Sequence, residues 1–161
     1  MQLILMRHGP AQDPGGRTSD HERELTPEGA RLVQAAAQGL ARLLPKGQPH
    51  HIWTSPLIRA RQTADIVAEA IAPASVALHA EIAAGDLDRL GRTWQEIPTP
   101  DTLILVGHEP HLKIWGARLS GVMLPIDTAA AAGFAMESGW PAAGRLLWFL
   151  QAEALARLGS V

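Results

Sequence analysis

Two rhythms of apolar residues alternate along this chain. Gln2 to Met6 and Thr102 to Val106 are nearly unbroken apolar runs, the pattern of strands covered on both faces of a sheet. His51 to Thr54 and Val76 to His79 are shorter strand candidates. Between them, Leu32, Val33, Ala36, Leu40, Leu43 and Leu44 recur at helical spacing, as do Leu57, Ala60, Ala64, Val67, Ala68 and Ile71, and later Leu112, Trp115 and Leu119. The stretch from Glu81 to Pro100 is less regular, with a helix expected around Leu87 to Ile97. Ala129 to Met136 and Arg145 to Leu150 read as two strands joined through Ser138-Gly139 and Gly144, and Gln151 to Leu158 as a short closing helix. The alternation predicts an α/β fold: one three-layer α/β/α domain over residues 1–161, with a mostly parallel central sheet and a C-terminal antiparallel hairpin.

Turn and cap residues set the expected boundaries. Thr26-Pro27-Glu28 combines a capping hydroxyl, a proline suited to the first helical position and an acid at the positive end of the helix dipole. Pro45 and Gly47 end that helix. Ser55-Pro56 repeats the cap-plus-proline signal, which places Arg59 in the first turn of the next helix, off its apolar stripe. Asp86-Leu87-Asp88 follows no apolar run and is expected to start a helix. Gly9 to Glu24 is rich in Pro, Gly, Asp and Ser and reads as a long loop whose length suggests a functional role.

Composition narrows the possibilities. With 161 residues, 47% hydrophobic and 19% charged, the chain can bury a real core as one globular unit. A formal net charge of −2 provides no global basic field, so nucleic acid is not an expected partner. No apolar segment is long enough to span a bilayer, so no membrane association is expected. The first residues lack the basic start and long apolar middle of a secretion signal, which favours cytoplasmic residence. Cysteine is absent, which removes thiol nucleophiles and thiolate metal sites. His108-Glu109-Pro110-His111 does not have the spacing of a zinc helix motif, and neither metal nor cofactor is expected.

The candidate chemistry sits at strand ends. Arg7-His8 follows the first strand, Arg59 lies just beyond the second, and His108 comes directly after the Thr102 to Val106 run. Ligands of open α/β sheets collect at such ends. Two guanidiniums can clamp a phosphoryl group with paired N–H donors, and an imidazole with one free ring nitrogen can attack phosphorus.

Leu5-Met6-Arg7-His8-Gly9, the block Thr54-Ser55-Pro56-Leu57-Ile58-Arg59-Ala60-Arg61-Gln62-Thr63, and Val106-Gly107-His108-Glu109-Pro110 occur in this order. Together they resemble the signature blocks of the histidine phosphatase superfamily, the phosphoglycerate mutase-like proteins. Arg23-Glu24-Leu25-Thr26 with Gly29, and the short interval between Arg59 and His108, are similar to the compact SixA-type phosphohistidine phosphatases. The resemblance runs over nearly the whole chain. It implies that His8 is the nucleophile, that Arg7 and Arg59 bind the phosphoryl group, and that His108 completes the phosphate site. It places Glu81 where mutase-like relatives carry a catalytic acid, in a context, Ala80-Glu81-Ile82, that differs from their Asn-Glu-Arg.

Three functions fit these residues. The leading one is a metal-independent phosphatase for phosphohistidine on a phosphotransfer or signalling protein, acting through a phosphorylated His8. A second is a phosphomonoesterase for small esters such as sugar or nucleotide phosphates. A third is a non-catalytic phosphoprotein-binding module. Arg61 is expected in solvent, His111 at the pocket rim or in solvent, and His50-His51 as a surface pair. The tryptophans are expected to pack in the core or at its rim, with Trp53 a candidate pocket wall.

Overall fold

The computed structural model describes residues 1–99 and 101–161. Among them the strands β1 (Gln2–Arg7), β2 (His50–Thr54), β3 (Ala74–Leu78), β4 (Thr102–Gly107), β5 (Ala131–Met136) and β6 (Gly144–Leu150) form one sheet in the order β3-β2-β4-β1-β5-β6. The first four run parallel, β5 pairs antiparallel with β1, and β6 pairs antiparallel with β5. The helices are α1 (Pro27–Leu43), α2 (Ile58–Ala70), α3 (Ala80–Ala84), α4 (Leu87–Thr93), α5 (His111–Ser120) and α6 (Ala152–Gly159).

β1 and β4 lie side by side at the centre, and their apolar runs feed both faces. Leu3, Leu5, Leu103 and Leu105 enter one core with Ile82, Leu90, Leu112 and Trp115 from α3, α4 and α5. Ile4, Met6, Ile104 and Val106 enter the other with Val33 and Leu40 of α1, Ala64 and Val67 of α2, and Leu155 of α6. All eight strand residues are fully buried, each contributing about 1.5–3 kcal/mol by removal from water. The period of two thus divides one sheet between two helical layers, the expected α/β/α sandwich.

Several boundaries differ from expectation. The third strand begins at Ala74 rather than Val76; as an edge strand it leaves residues such as Leu78 exposed and so carries little apolar pattern. α4 stops at Thr93 and continues as a 3₁₀ turn, Trp94–Glu96, while Asp86 caps it by accepting from the Arg89 N–H at 3.0 Å. The Ser55-Pro56 signal starts its helix two residues late. The Ser55 hydroxyl accepts from the Leu57 N–H at 3.3 Å, Leu57 is the cap residue, and Ile58 is the first helical one. β5 begins at Ala131, because Ala129 adopts φ 61°, a left-handed conformation, and donates its N–H to the carbonyls of Arg7 and His8.

β1 leads into α1 on one face of the sheet, and β4 leads into α5 on the other. Adjacent parallel strands whose connections leave in opposite directions open a crevice at their carboxyl ends. The chain leaving β1 is held there by close packing on α1: the Thr26 N–H donates to the Pro10 carbonyl, and Thr26 caps α1 by accepting from Gly29 at 2.9 Å. A side chain at Gly29 would collide with the Pro10 carbonyl oxygen. Gly29→Ala should therefore lower stability by about 1–3 kcal/mol despite alanine's better helix propensity, measured as a fall in the denaturant midpoint.

Candidate active site

Arg7, His8, Arg59 and His108 meet in this crevice. Register places Arg7 opposite Gly107, and the ladder continues one step as the His8 N–H donates to the Gly107 carbonyl at 3.1 Å. The two imidazoles consequently face each other, ring centroids 5.1 Å apart and inclined by 53°. β2 lies on the other side of β4, and the Ser55 N–H extends that ladder to the Val106 carbonyl. α2 then carries Arg59 under the loop, only 5% exposed although it lies off the apolar stripe.

The ring of His8 is fixed at both nitrogens. Nδ1 lies 2.8 Å from the Gly9 carbonyl, an acceptor, so Nδ1 carries the proton. Nε2 is then a bare lone pair, and it accepts from Arg59 Nε at 3.3 Å. The next backbone is anchored as well: the Gly9 N–H donates to Thr63 Oγ1 at 3.0 Å, and the Thr63 hydroxyl donates to the Arg59 carbonyl at 2.8 Å. Gln62 accepts from the Leu25 N–H at 2.7 Å. The Gln62-Thr63 pair of the sequence block thus ties the loop to α2.

Burial and positive neighbours keep both imidazoles neutral. Desolvation, with the charges of Arg59 and Arg7 adding to it, lowers His8 to about 4, against an opposing hydrogen bond to Gly9. Desolvation and the neighbouring His8 and Arg59 lower His108 to about 3. Among the described residues neither ring nitrogen of His108 has a hydrogen-bond partner, nor does Arg7 Nε, although Arg7 Nη1 donates to the Ile126 carbonyl at 3.2 Å. The pocket therefore holds donors without acceptors beside an unprotonated Nε2.

Arg59 is already paired. Its Nη1 donates to the Asp20 carbonyl at 2.7 Å and its Nη2 to the Asp20 carboxylate at 3.2 Å. Burial pushes the Asp20 carboxyl up, but hydrogen bonding to Arg59 and the charges of Arg59 and Arg23 hold it below the usual range. Asp20 opens a 3₁₀ turn, Asp20–Glu22, within the long loop, and it has no signal in a sequence where that loop is aperiodic.

Glu81 is held by an arginine outside these four side chains. At the start of α3 its carboxylate pairs with Arg89 at 3.0 Å and lies 3.8 Å from His79 Nδ1, whose ring stacks on Trp53 at 4.1 Å. Glu109 follows His108 directly, and both of its carboxylate oxygens are shielded from solvent with no hydrogen-bond partner among the described residues. His111 stacks over Trp115 at 6.2 Å. The expected His50-His51 surface pair is instead packed in β2. His50 is 8% exposed, and His51 bonds to Asp101 at 2.8 Å and Ser75 at 3.3 Å, because both strands flanking β2 cover it. Both line a cavity of about 740 Å³ at the amino ends of β2 and β3, far from His8.

The family model described as histidine phosphatase superfamily (branch 1) matches residues 3–113. The chain belongs to that superfamily, and it is an enzyme, a hydrolase of the phosphatase class. Among solved structures, its fold is similar to the protein histidine phosphatase SixA complexed with tungstate, with a TM-score of 0.81, 23% identity, and coverage of 96% of this chain and 99% of that one. It is also similar to the putative phosphohistidine phosphatase SixA from Nakamurella multipartitia, with a TM-score of 0.76, 26% identity, and coverage of 93% of this chain and 95% of that one. An uncharacterized protein of Picosynechococcus sp. is 35% identical over 128 residues, 74% of this chain and 73% of its own.

Two outcomes are expected from this geometry. A histidine whose folded pKa lies below its unfolded value stabilises the fold fully above about pH 6.5, and that contribution is lost as pH falls toward the folded value. Stability should thus decline from pH 6.5 toward pH 4 by up to about 1.4 kcal/mol per pH unit for each imidazole, and denaturant titrations of His108→Asn should show a shallower slope. Asp20→Asn should remove the competing carboxylate charge from Arg59 and tighten competitive inhibition by inorganic phosphate about two- to five-fold, the effect of a pair worth up to ~1 kcal/mol.

Proposed function

We propose that this phosphatase removes the phosphoryl group from phosphohistidine on a phosphotransfer or signalling protein, through a covalent intermediate on His8. The observation that carries the reading is the His8 ring itself, its Nδ1 proton committed to the Gly9 carbonyl and its Nε2 bare beside Arg59. Arg59 exchanges Asp20 for phosphoryl oxygens, and Arg7 Nε and one ring N–H of His108 donate to the remaining oxygens. Such transfer depends chiefly on positioning and on stabilising charge over the phosphoryl oxygens, which these donors supply. His8 Nε2 forms the bond to phosphorus as the bond to the leaving group breaks, and water then releases phosphate and restores the imidazole.

Two observations favour a protein-borne substrate. Between Arg59 and His108 the described chain adds only the rest of α2, β3, α3, α4, a 3₁₀ turn and β4, so little structure covers the site. The similar SixA structures bear the name of phosphatases acting on phosphohistidine. The second reading, small phosphate esters, draws on Glu81 at the same end of the sheet; as a proton donor there it must first part from Arg89.

His8→Ala should abolish an acid-labile phosphoenzyme and reduce turnover by at least about 10³-fold, read by rapid quench with labelled substrate; undiminished hydrolysis in that variant would refute the intermediate. A panel of phosphohistidine protein, phosphoramidate and sugar phosphates, with and without chelator, should show preference for phosphohistidine and no effect of chelation. Preference for sugar phosphates would support the second reading.

A further inference from the structure

At the amino ends of the strands, away from the phosphate crevice by roughly 20 Å, the length of six-residue β4, three polar side chains form a separate hydrogen-bonded chain. Register creates it. His51 of β2 lies opposite Ser75 of β3 on one side and opposite Leu103 of β4 on the other. Asp101 comes two residues before Leu103, so the period of two places Ser75, His51 and Asp101 on one face of the sheet. They meet there: His51 Nε2 lies 2.8 Å from the Asp101 carboxylate, and His51 Nδ1 lies 3.3 Å from the Ser75 hydroxyl.

An ionised carboxylate can only accept, so Nε2 carries the ring proton and Nδ1 presents its lone pair to the Ser75 hydroxyl, which donates to it. The depth of the three side chains suits an outward-facing nucleophile. Asp101 is 7% exposed, the His51 side chain is 26% accessible, and Ser75 is exposed. The two ring nitrogens are exchanged relative to the usual serine hydrolase triad, but the chemistry asks only for a protonated nitrogen held by the acid and a bare one at the hydroxyl.

β3 also offers a donor for a developing oxyanion. The His79 N–H donates to the Thr54 carbonyl of β2, and N–H groups two residues apart along a strand point the same way, so those of Ala77 and Ser75 face β2 as well. The Val76 N–H faces the opposite way. Because β3 is the outermost strand, this N–H stands open at the sheet edge, on the residue directly after Ser75. Ser75 and His51 also border the cavity of about 740 Å³, whose other walls include Leu44, Pro45, Ile71 and Pro73. Such walls suit an apolar acyl group.

We propose that Ser75, His51 and Asp101 form a second hydrolytic site, independent of His8, for small carboxylic esters with an apolar acyl group. Ser75 Oγ bonds to the ester carbonyl carbon as its proton passes to His51 Nδ1, and the carbonyl electron pair moves onto the oxygen facing the Val76 N–H. That pair then re-forms the carbonyl. The bond from carbon to the leaving oxygen breaks, and this oxygen keeps the electron pair and takes the proton from Nδ1, leaving an acyl group on Ser75. Water repeats the sequence: it gives a proton to Nδ1, its oxygen bonds to the acyl carbon, and Ser75 Oγ departs with its electron pair and recovers the proton. Asp101 holds the ring and stabilises the imidazolium formed in each half.

The test uses the full chain carrying His8→Ala, which removes the phosphatase nucleophile, with 4-nitrophenyl butanoate as substrate and an alkyl fluorophosphonate as covalent probe. Adding Ser75→Ala should lower butanoate hydrolysis by about 10²–10⁴-fold, and Asp101→Asn should slow both hydrolysis and labelling by at least about 10-fold. Peptide mass mapping should find the probe on Ser75. In the chain that keeps His8, Ser75→Ala should leave phosphate monoester turnover within about two-fold of wild type, as a site at the other end of the sheet requires. Butanoate hydrolysis unchanged by Ser75→Ala, or a probe adduct that forms elsewhere and not on Ser75, overturns the proposal. Should Ser75→Ala lose phosphatase turnover too, labelling of the chain with Ser75 intact decides: an adduct on Ser75 that Asp101→Asn slows supports the site, and one that forms at an undiminished rate overturns it.

Discussion

The pocket depends on one electrostatic constraint: two guanidiniums and two imidazoles share a buried crevice, so the imidazoles can enter only as neutral rings. Desolvation alone disfavours a buried imidazolium, and Arg7 and Arg59 add repulsion to it. Neutrality of His8 then makes tautomer choice decisive. The Gly9 carbonyl settles that choice, and it can do so because Gly9 is itself held by Thr63 from α2. A residue two turns into the sequence block, far from any direct part in phosphate binding, thereby orients the ring that carries the lone pair.

The sheet converts this constraint into geometry. β1 and β4 lie in parallel register and send their chains to opposite faces, so consecutive hydrogen bonds of one ladder deliver His8 and His108 to facing positions. The strands need no flexible loop to do so. Both runs are buried on each face, which fixes their register strongly, since a one-residue slip would exchange the two cores.

The same burial explains which parts of the structure were legible in the sequence. β1 and β4 announce themselves as continuous apolar runs because both faces are covered, whereas β3, at the edge, is mostly exposed and its start was misplaced by two residues. The helix expected over Leu87 to Ile97 ends at Thr93 because a 3₁₀ turn sustains nearly the same spacing of apolar residues. Arg7, His8, Arg59 and His108 could be read as a set because each follows a recognisable strand end. The environments of His50, Asp20 and Glu109 could not. Each depends on what packs over the side chain, and residue type alone suggests a solvated group.

The pairing of Asp20 with Arg59 has a consequence for the resting protein. A buried cation with no counterion would tax the fold, and removal of one partner from such a pair typically leaves an uncompensated charge. Here the counterion arrives on an exposed loop, with the Asp20 side chain 60% accessible against 6% for Arg59. Entry of an anion is therefore a substitution rather than an addition. Weakly charged solutes must compete with a tethered carboxylate, which gives the crevice a threshold favouring doubly charged oxyanions over singly charged anions.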